Sequence, residues 1–119
     1  MELRQVEGAN GIRQLETHGN ITRDGWAHDY DPFTQVVGSD AYDKSTVLNL
    51  EHSDYIDSTG VAWLLTSTNK FRQHGQQLVV HSPKPMVAQL LKLMRMHLSL
   101  HIAADINEAL KKLHVTDAE

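Results

Sequence analysis

The stretch "VLNLEHSDYIDSTGVAWLL", Val47 to Leu65, changes its hydrophobic period in the middle. Val47, Leu48 and Leu50 make a short apolar run of β type, the pattern of a central buried strand. After Asp57 the apolar residues Val61, Leu64, Leu65 and Phe71, with Thr68, recur at helical spacing and share one face until Gly75 ends the helix. A strand therefore passes through an acidic turn straight into a helix. That order places Asp57, Ser58 and Thr59 at a helix N-terminus, where unpaired N–H groups and the positive end of the helix dipole favour negative charge. Local physics makes Asp57 or Ser58 a helix cap, worth about 1 kcal/mol. A cap alone leaves open whether the Ser58 hydroxyl also does chemistry or receives it.

Downstream, "QQLVVHS" reads as a second buried strand, and Ser82-Pro83 as a cap followed by a proline where a helix begins. That helix buries Val87, Leu90, Leu91 and Met94. "HLSLHIA" is ambiguous and can hold a short last strand. Asp105 and Glu108 then have the spacing of a capping box ahead of Ile106, Ala109, Leu110 and Leu113, which predicts a final helix. Upstream, "ELRQVE" and "IRQLETHG" alternate as strands do, and Asn10-Gly11 supplies the positive backbone dihedrals of a tight hairpin. Between Asn20 and Lys44 only "DPFTQVVG" predicts a helix, with Asp31 as cap, Pro32 in the first position and Gly38 as stop. Around it Asp24, Asp29, Asp31, Asp40 and Asp43 read as a solvated acidic face, in a loop pinned by aromatics such as Trp26 and Tyr30. Strands alternating with helices predict an α/β fold with parallel neighbours in the sheet.

Length and composition set the outer limits. A chain of 119 residues fits one domain, 1–119, with 40% apolar and 22% charged residues, large enough to fold around a single core. There is no cysteine, hence no disulfide framework, thiol nucleophile or Cys-ligated zinc. The N-terminus lacks a basic segment followed by an apolar core, and no run reaches the roughly 18 apolar residues of a membrane span. Secretion and membrane insertion are not expected, and a cytoplasmic location is. Residues 1 to 60 hold 11 acids against 4 bases, net −7, whereas residues 61 to 119 hold 4 acids against 7 bases, net +3. The bases of the second half are scattered and not interleaved with aromatics, which argues against direct nucleic-acid binding.

Three chemistries compete for the polar residues. A serine hydrolase would use Ser58 as nucleophile with one of the 8 histidines, but the Gly-x-Ser-x-Gly elbow is absent, so this is a minor alternative. The aspartic-protease string is excluded, because an extra residue separates Asp57 from Gly60, no second copy exists and a buried helix follows. For a metal, His97 and His101 are four apart, yet the intervening Glu of a His-Glu-x-x-His site is missing. His18, His28, His52, His74, His81 and His114 show no ligand spacing. The acids between Asp24 and Asp43 lack the pattern of a calcium loop. No metal and no cofactor are expected.

The same stretch, Val47 to Leu65, resembles the signature of the STAS domain, named for sulfate transporters and anti-sigma factor antagonists: an apolar strand, an acidic turn, then Asp-Ser-Ser/Thr-Gly opening a helix. The resemblance continues through "GQQLVVHSPKPMVAQLLKLMRMHLSLHI", is best supported over 45–113, and begins at "HGNIT". It implies a mixed β-sheet of four to five strands with about four helices packed mainly on one face. It also implies regulation without catalysis. In the antagonists the first hydroxyl residue after the Asp is phosphorylated by a serine kinase of the histidine-kinase-like ATPase type, itself the anti-sigma factor, and a serine phosphatase reverses this. That position is Ser58 here, with Thr59 as second choice and Asp57 and Gly60 as flanking motif residues. Gly60 would let a partner backbone approach. A non-switching scaffold, or a subunit of a sensory or lipid-transport complex, is the alternative within the family. On a helical wheel that points Val61, Leu64, Leu65 and Thr68 inward, Trp63 and Lys70 fall outside, which makes Trp63 either a docking hot spot or a residue covered by the loop around Trp26 and Tyr30.

Overall fold

A computed structural model describes residues 1–9 and 11–114. Strands β1 (Glu2–Ala9) and β2 (Ile12–His18) pair antiparallel, and β3 (Thr46–His52), β4 (Leu78–His81) and β5 (His101–Ala103) add in parallel, so the sheet order is the chain order. Asn10 of the predicted hairpin turn lies outside the described residues, while Gly11 beside it takes the positive φ, 75°, that such a turn requires. The helices are α1 (Pro32–Val37), α2 (Ser58–Gln73), α3 (Pro85–Leu93) and α4 (Ile106–His114). None of the described helices is long and apolar enough to cross a membrane.

Parallel crossovers are right-handed, and repeating one hand in one direction across a sheet keeps the helices on one face. Accordingly α1, α2 and α3, which join β2 to β5 in steps, share one side. Phe33, Val61, Leu64, Phe71, Val87 and Leu91 from these helices pack with Leu15, Leu48, Leu50, Leu78 and Val80 in the larger core. α4 follows the last strand and sets Ala109 and Leu113 against Ile12, Val47, Val79 and Ala103 on the other face. Covering on both faces explains why adjacent residues, Val47 and Leu48 in β3 and Leu78 to Val80 in β4, are apolar and buried on opposite sides. The mixed sheet with helices mainly on one face is the architecture that the sequence predicts.

Element ends follow local chemistry. Asp31 caps α1 by accepting from the Phe33 N–H at 3.0 Å, and Gly38 closes it. At α4 the Asp105 carboxylate accepts from the Glu108 N–H, and the Glu108 carboxylate accepts from the Ala104 N–H, both at 2.8 Å, a capping box whose return bond lands one residue early. The expectation for Ser82-Pro83 is corrected: α3 opens at the next proline, Pro85. Ser82 instead adopts the left-handed region, φ 57°, and its N–H reaches the Ala103 carbonyl at 3.3 Å, extending the contact with β5.

In the acidic segment Asp24, Asp29, Asp40 and Asp43 are exposed as expected, whereas Asp31 is largely buried and structural. Asp31 also accepts from the Tyr42 hydroxyl at 2.6 Å and pairs with Lys70, Asp40 lies beside the buried Arg13 guanidinium, and Asp43 pairs with His74. Burial and the bond to Asp31 push the Tyr42 phenol well above its usual range. His97 sits in a 3-10 turn, Met96–Leu98, and His101 opens β5, so the two do not share a helical face.

Candidate functional site

Two chain segments build the turn that precedes α2. After β2 the chain runs through Ile21, Thr22 and Arg23, and after β3 it runs through Tyr55, Ile56 and Asp57. Ile21 and Ile56 form an isolated parallel bridge, with the Ile21 N–H donating to the Tyr55 carbonyl at 2.8 Å and the Asp57 N–H to the Ile21 carbonyl at 3.3 Å. Both isoleucines are fully buried, which anchors the turn on the larger core.

Asp57 is the helix cap. Its Oδ1 accepts from the Gly60 N–H at 2.9 Å and from the Thr59 hydroxyl at 2.6 Å, and its Oδ2 accepts from the Thr22 hydroxyl at 2.8 Å. The Thr59 hydroxyl and the Gly60 N–H, in that order of importance, hold the Asp57 carboxyl below its ordinary value. A carboxylate whose folded value is depressed contributes stability above its unfolded value and loses it as pH falls through the folded one. Asp57→Ala is therefore expected to cost about 1–2 kcal/mol at neutral pH. Urea melts should show that difference shrinking below about pH 4, near the unfolded carboxylate value. A gap between wild type and variant that stays constant from neutral to strongly acid pH would contradict this role.

The two hydroxyls after Asp57 are not equivalent. Thr59 donates to Asp57 and accepts from the Arg23 N–H at 2.9 Å, so its oxygen is engaged on both sides. Ser58, the first residue of α2, is exposed, and its hydroxyl has no hydrogen-bond partner among the described residues. The bond from nucleophile to base that a serine hydrolase depends on is thus not formed.

Two docking roles expected at this site are overturned, and for Trp63 the alternative reading, cover by the loop around Trp26, holds. Gly60 offers no approach to a partner backbone, because it is buried against this chain's own Ile21. A Cβ built there collides with the Ile21 carbonyl oxygen and sits 3.0 Å from its Cγ2. Trp63 is not an outward docking residue either. It is 5% exposed, stacks on Phe33 with centroids 5.5 Å apart, and meets Trp26 edge-on at 5.8 Å. The wheel fails because α1 and the loop before it fold over the flank of α2 and widen the buried arc to include Trp63 and Ser67. Lys70 beside it is held at 3.4 Å from the Asp31 carboxylate. The exposed aromatic of the opening stretch is Tyr55, at 46%.

Sequence reasoning passed over Thr22 and Arg23, which hold Asp57 and Thr59. The "HGNIT" string, where the resemblance starts, was their one visible signal.

Comparison with known proteins agrees with this geometry. No curated sequence matches the chain. Among solved structures, a protein of Thermotoga maritima described as a candidate anti-sigma factor antagonist, TM1081, superposes with a TM-score of 0.73 at 16% identity, over 91% of this chain and 92% of that one. The anti-sigma factor antagonist SpoIIAA in its unphosphorylated form superposes with a TM-score of 0.64 at 15% identity, over 95% and 96% of the two chains. At these identities the likeness establishes a shared fold. The sequence model of the STAS domain matches residues 5–109, nearly the whole described chain, and on that match the protein belongs to the STAS domain family.

Proposed function

We propose that the chain is a cytoplasmic, phosphorylation-controlled protein-interaction switch, with Ser58 as the phosphate acceptor and Thr59 as a poor second. The observation that carries this reading is the contrast between the free, exposed Ser58 hydroxyl and the doubly engaged Thr59 hydroxyl on the same turn. A phosphate adds about −1.5 to −2 charge at neutral pH. The Gly60 N–H already donates to Asp57, and the positive helix end tolerates the added charge, so its effect need not fall on the fold. It would instead face the partner, as bulk and repulsion on a surface fitted to a neutral hydroxyl. Tyr55, exposed beside the turn, takes the role of aromatic contact in place of the buried Trp63. The partners are a serine kinase of the histidine-kinase-like ATPase type that doubles as the anti-sigma factor, and a serine phosphatase that reverses the modification.

Incubation with candidate kinases of this type and ATP, followed by mass spectrometry, should place one phosphate on Ser58 and none on the Ser58→Ala variant. Absence of phosphate on Ser58 with every kinase encoded beside this gene would sink the switch. Ser58→Asp is expected to weaken partner capture at least about tenfold relative to Ser58→Ala, a difference of about 1.4 kcal/mol. Equal capture by both variants would mark a scaffold.

A further inference from the structure

The sheet face opposite α1 to α3 carries a second cluster that is independent of the Ser58 turn. Leu15 and Thr17 of β2 point into the larger core side, so Glu16 and His18 alternate to the other face. His18 is in register with His52 at the end of β3, and a shift in the pairing between Glu16 and His18 accompanies this meeting. The two imidazoles stack with centroids 4.5 Å apart and planes 7° from parallel. Both present Nε2 to one carboxylate: Glu16 Oε1 is 2.7 Å from His18 Nε2, and Glu16 Oε2 is 3.8 Å from His52 Nε2. A ligand atom from each of the three residues lies within 4.8 Å of the other two.

We infer that Glu16, His18 and His52 form a binding site for a divalent transition-metal cation of the zinc type. Two imidazoles and a carboxylate are a donor set suited to such an ion. Bonds of about 2.0–2.1 Å in a tetrahedral arrangement separate the ligand atoms by roughly 3.3 Å. The present separations bracket that value, but the two rings are now parallel, so binding requires these partly exposed side chains to turn until both Nε2 lone pairs converge on the ion. Three protein ligands leave a coordination position for water, and Glu16 borders an open depression of about 210 Å³ that can admit it. The ion would join the ends of β2 and β3.

Zinc chloride titrated into the full, metal-free chain, followed by calorimetry and by the histidine proton resonances, tests the site without any kinase. One ion per chain is expected, with the ring signals of His18 and His52 shifting together and the thermal midpoint rising with zinc. His52→Ala, at a half-exposed position that leaves the fold intact, should weaken binding by more than about tenfold, since even outer-shell partners are worth about 10–100-fold. Glu16→Gln should weaken it similarly, while His97→Ala and His101→Ala should leave it unchanged. No saturable binding, or binding unaffected by His52→Ala and Glu16→Gln, overturns the assignment. Loss of Ser58 phosphorylation has no bearing on either outcome.

Discussion

Trp63→Ala is expected to destabilise the protein by about 3–5 kcal/mol, the range for truncating a buried aromatic to alanine. Small domains have total stabilities of about 5–15 kcal/mol, so this single change would remove a large share. The ring is wedged between Phe33 and Trp26, on elements that do not adjoin it in sequence, and its removal uncouples the loop before α1 from the flank of α2. Urea denaturation followed by far-ultraviolet circular dichroism should show the midpoint falling with little change in slope. Trp63→Phe keeps an aromatic on Phe33 and deletes an indole N–H that has no acceptor among the described residues, so it should cost less than half as much. A Trp63→Ala protein that melts like wild type but fails to bind its partner would return Trp63 to the surface role that the helical wheel suggested.

Gly60→Ala is expected to cost about 3 kcal/mol, at the upper end of what inserting one methyl into a packed interior usually costs. The collision is with backbone, not with a side chain that can swing away. Ile21 cannot retreat, because its N–H and carbonyl are both tied to the Tyr55 to Asp57 segment and its side chain is fully buried. For a domain of this size the thermal midpoint should drop on the order of 10 °C. Relief would require the start of α2 to move outward, so Ser58 would be displaced as well. A variant with the wild-type midpoint would mean that the contact between Gly60 and Ile21 is looser than the geometry described above.

The strand, turn and helix over Val47 to Leu65 were legible because a change of period from two to helical spacing is a local signal, as were the Asp31 and Asp57 caps. The parallel pairing of neighbouring strands followed from alternation with helices, whereas their order in the sheet did not. What sequence could not supply were contacts set by distant segments. Trp63 lies outside the apolar stripe of its own helix, and the choice between its two readings was made by the loop carrying Trp26 and by Phe33 of α1. Gly60 belongs to a recognisable motif, but the atom that forbids a side chain there is the Ile21 carbonyl from a different strand end. Glu16 and His18 are visibly two apart, whereas His52 joins them through a pairing shift that no counting of residues predicts. Spacing within one segment is blind to side chains that a sheet brings together from two strands.

Because each strand pairs with the one made just before it, the sheet can grow by one edge as the chain leaves the ribosome, and no strand has to be inserted between two already joined. Each crossover helix arrives in time to cover the face of the strands it connects. The other face waits: Ile12, Val47 and Val79 stay uncovered until Ala109 and Leu113 of α4 follow the strands. The helix that follows the strands is therefore the one that closes the apolar surface of the first parallel strands, and a chain cut before Ile106 would show that surface to its neighbours.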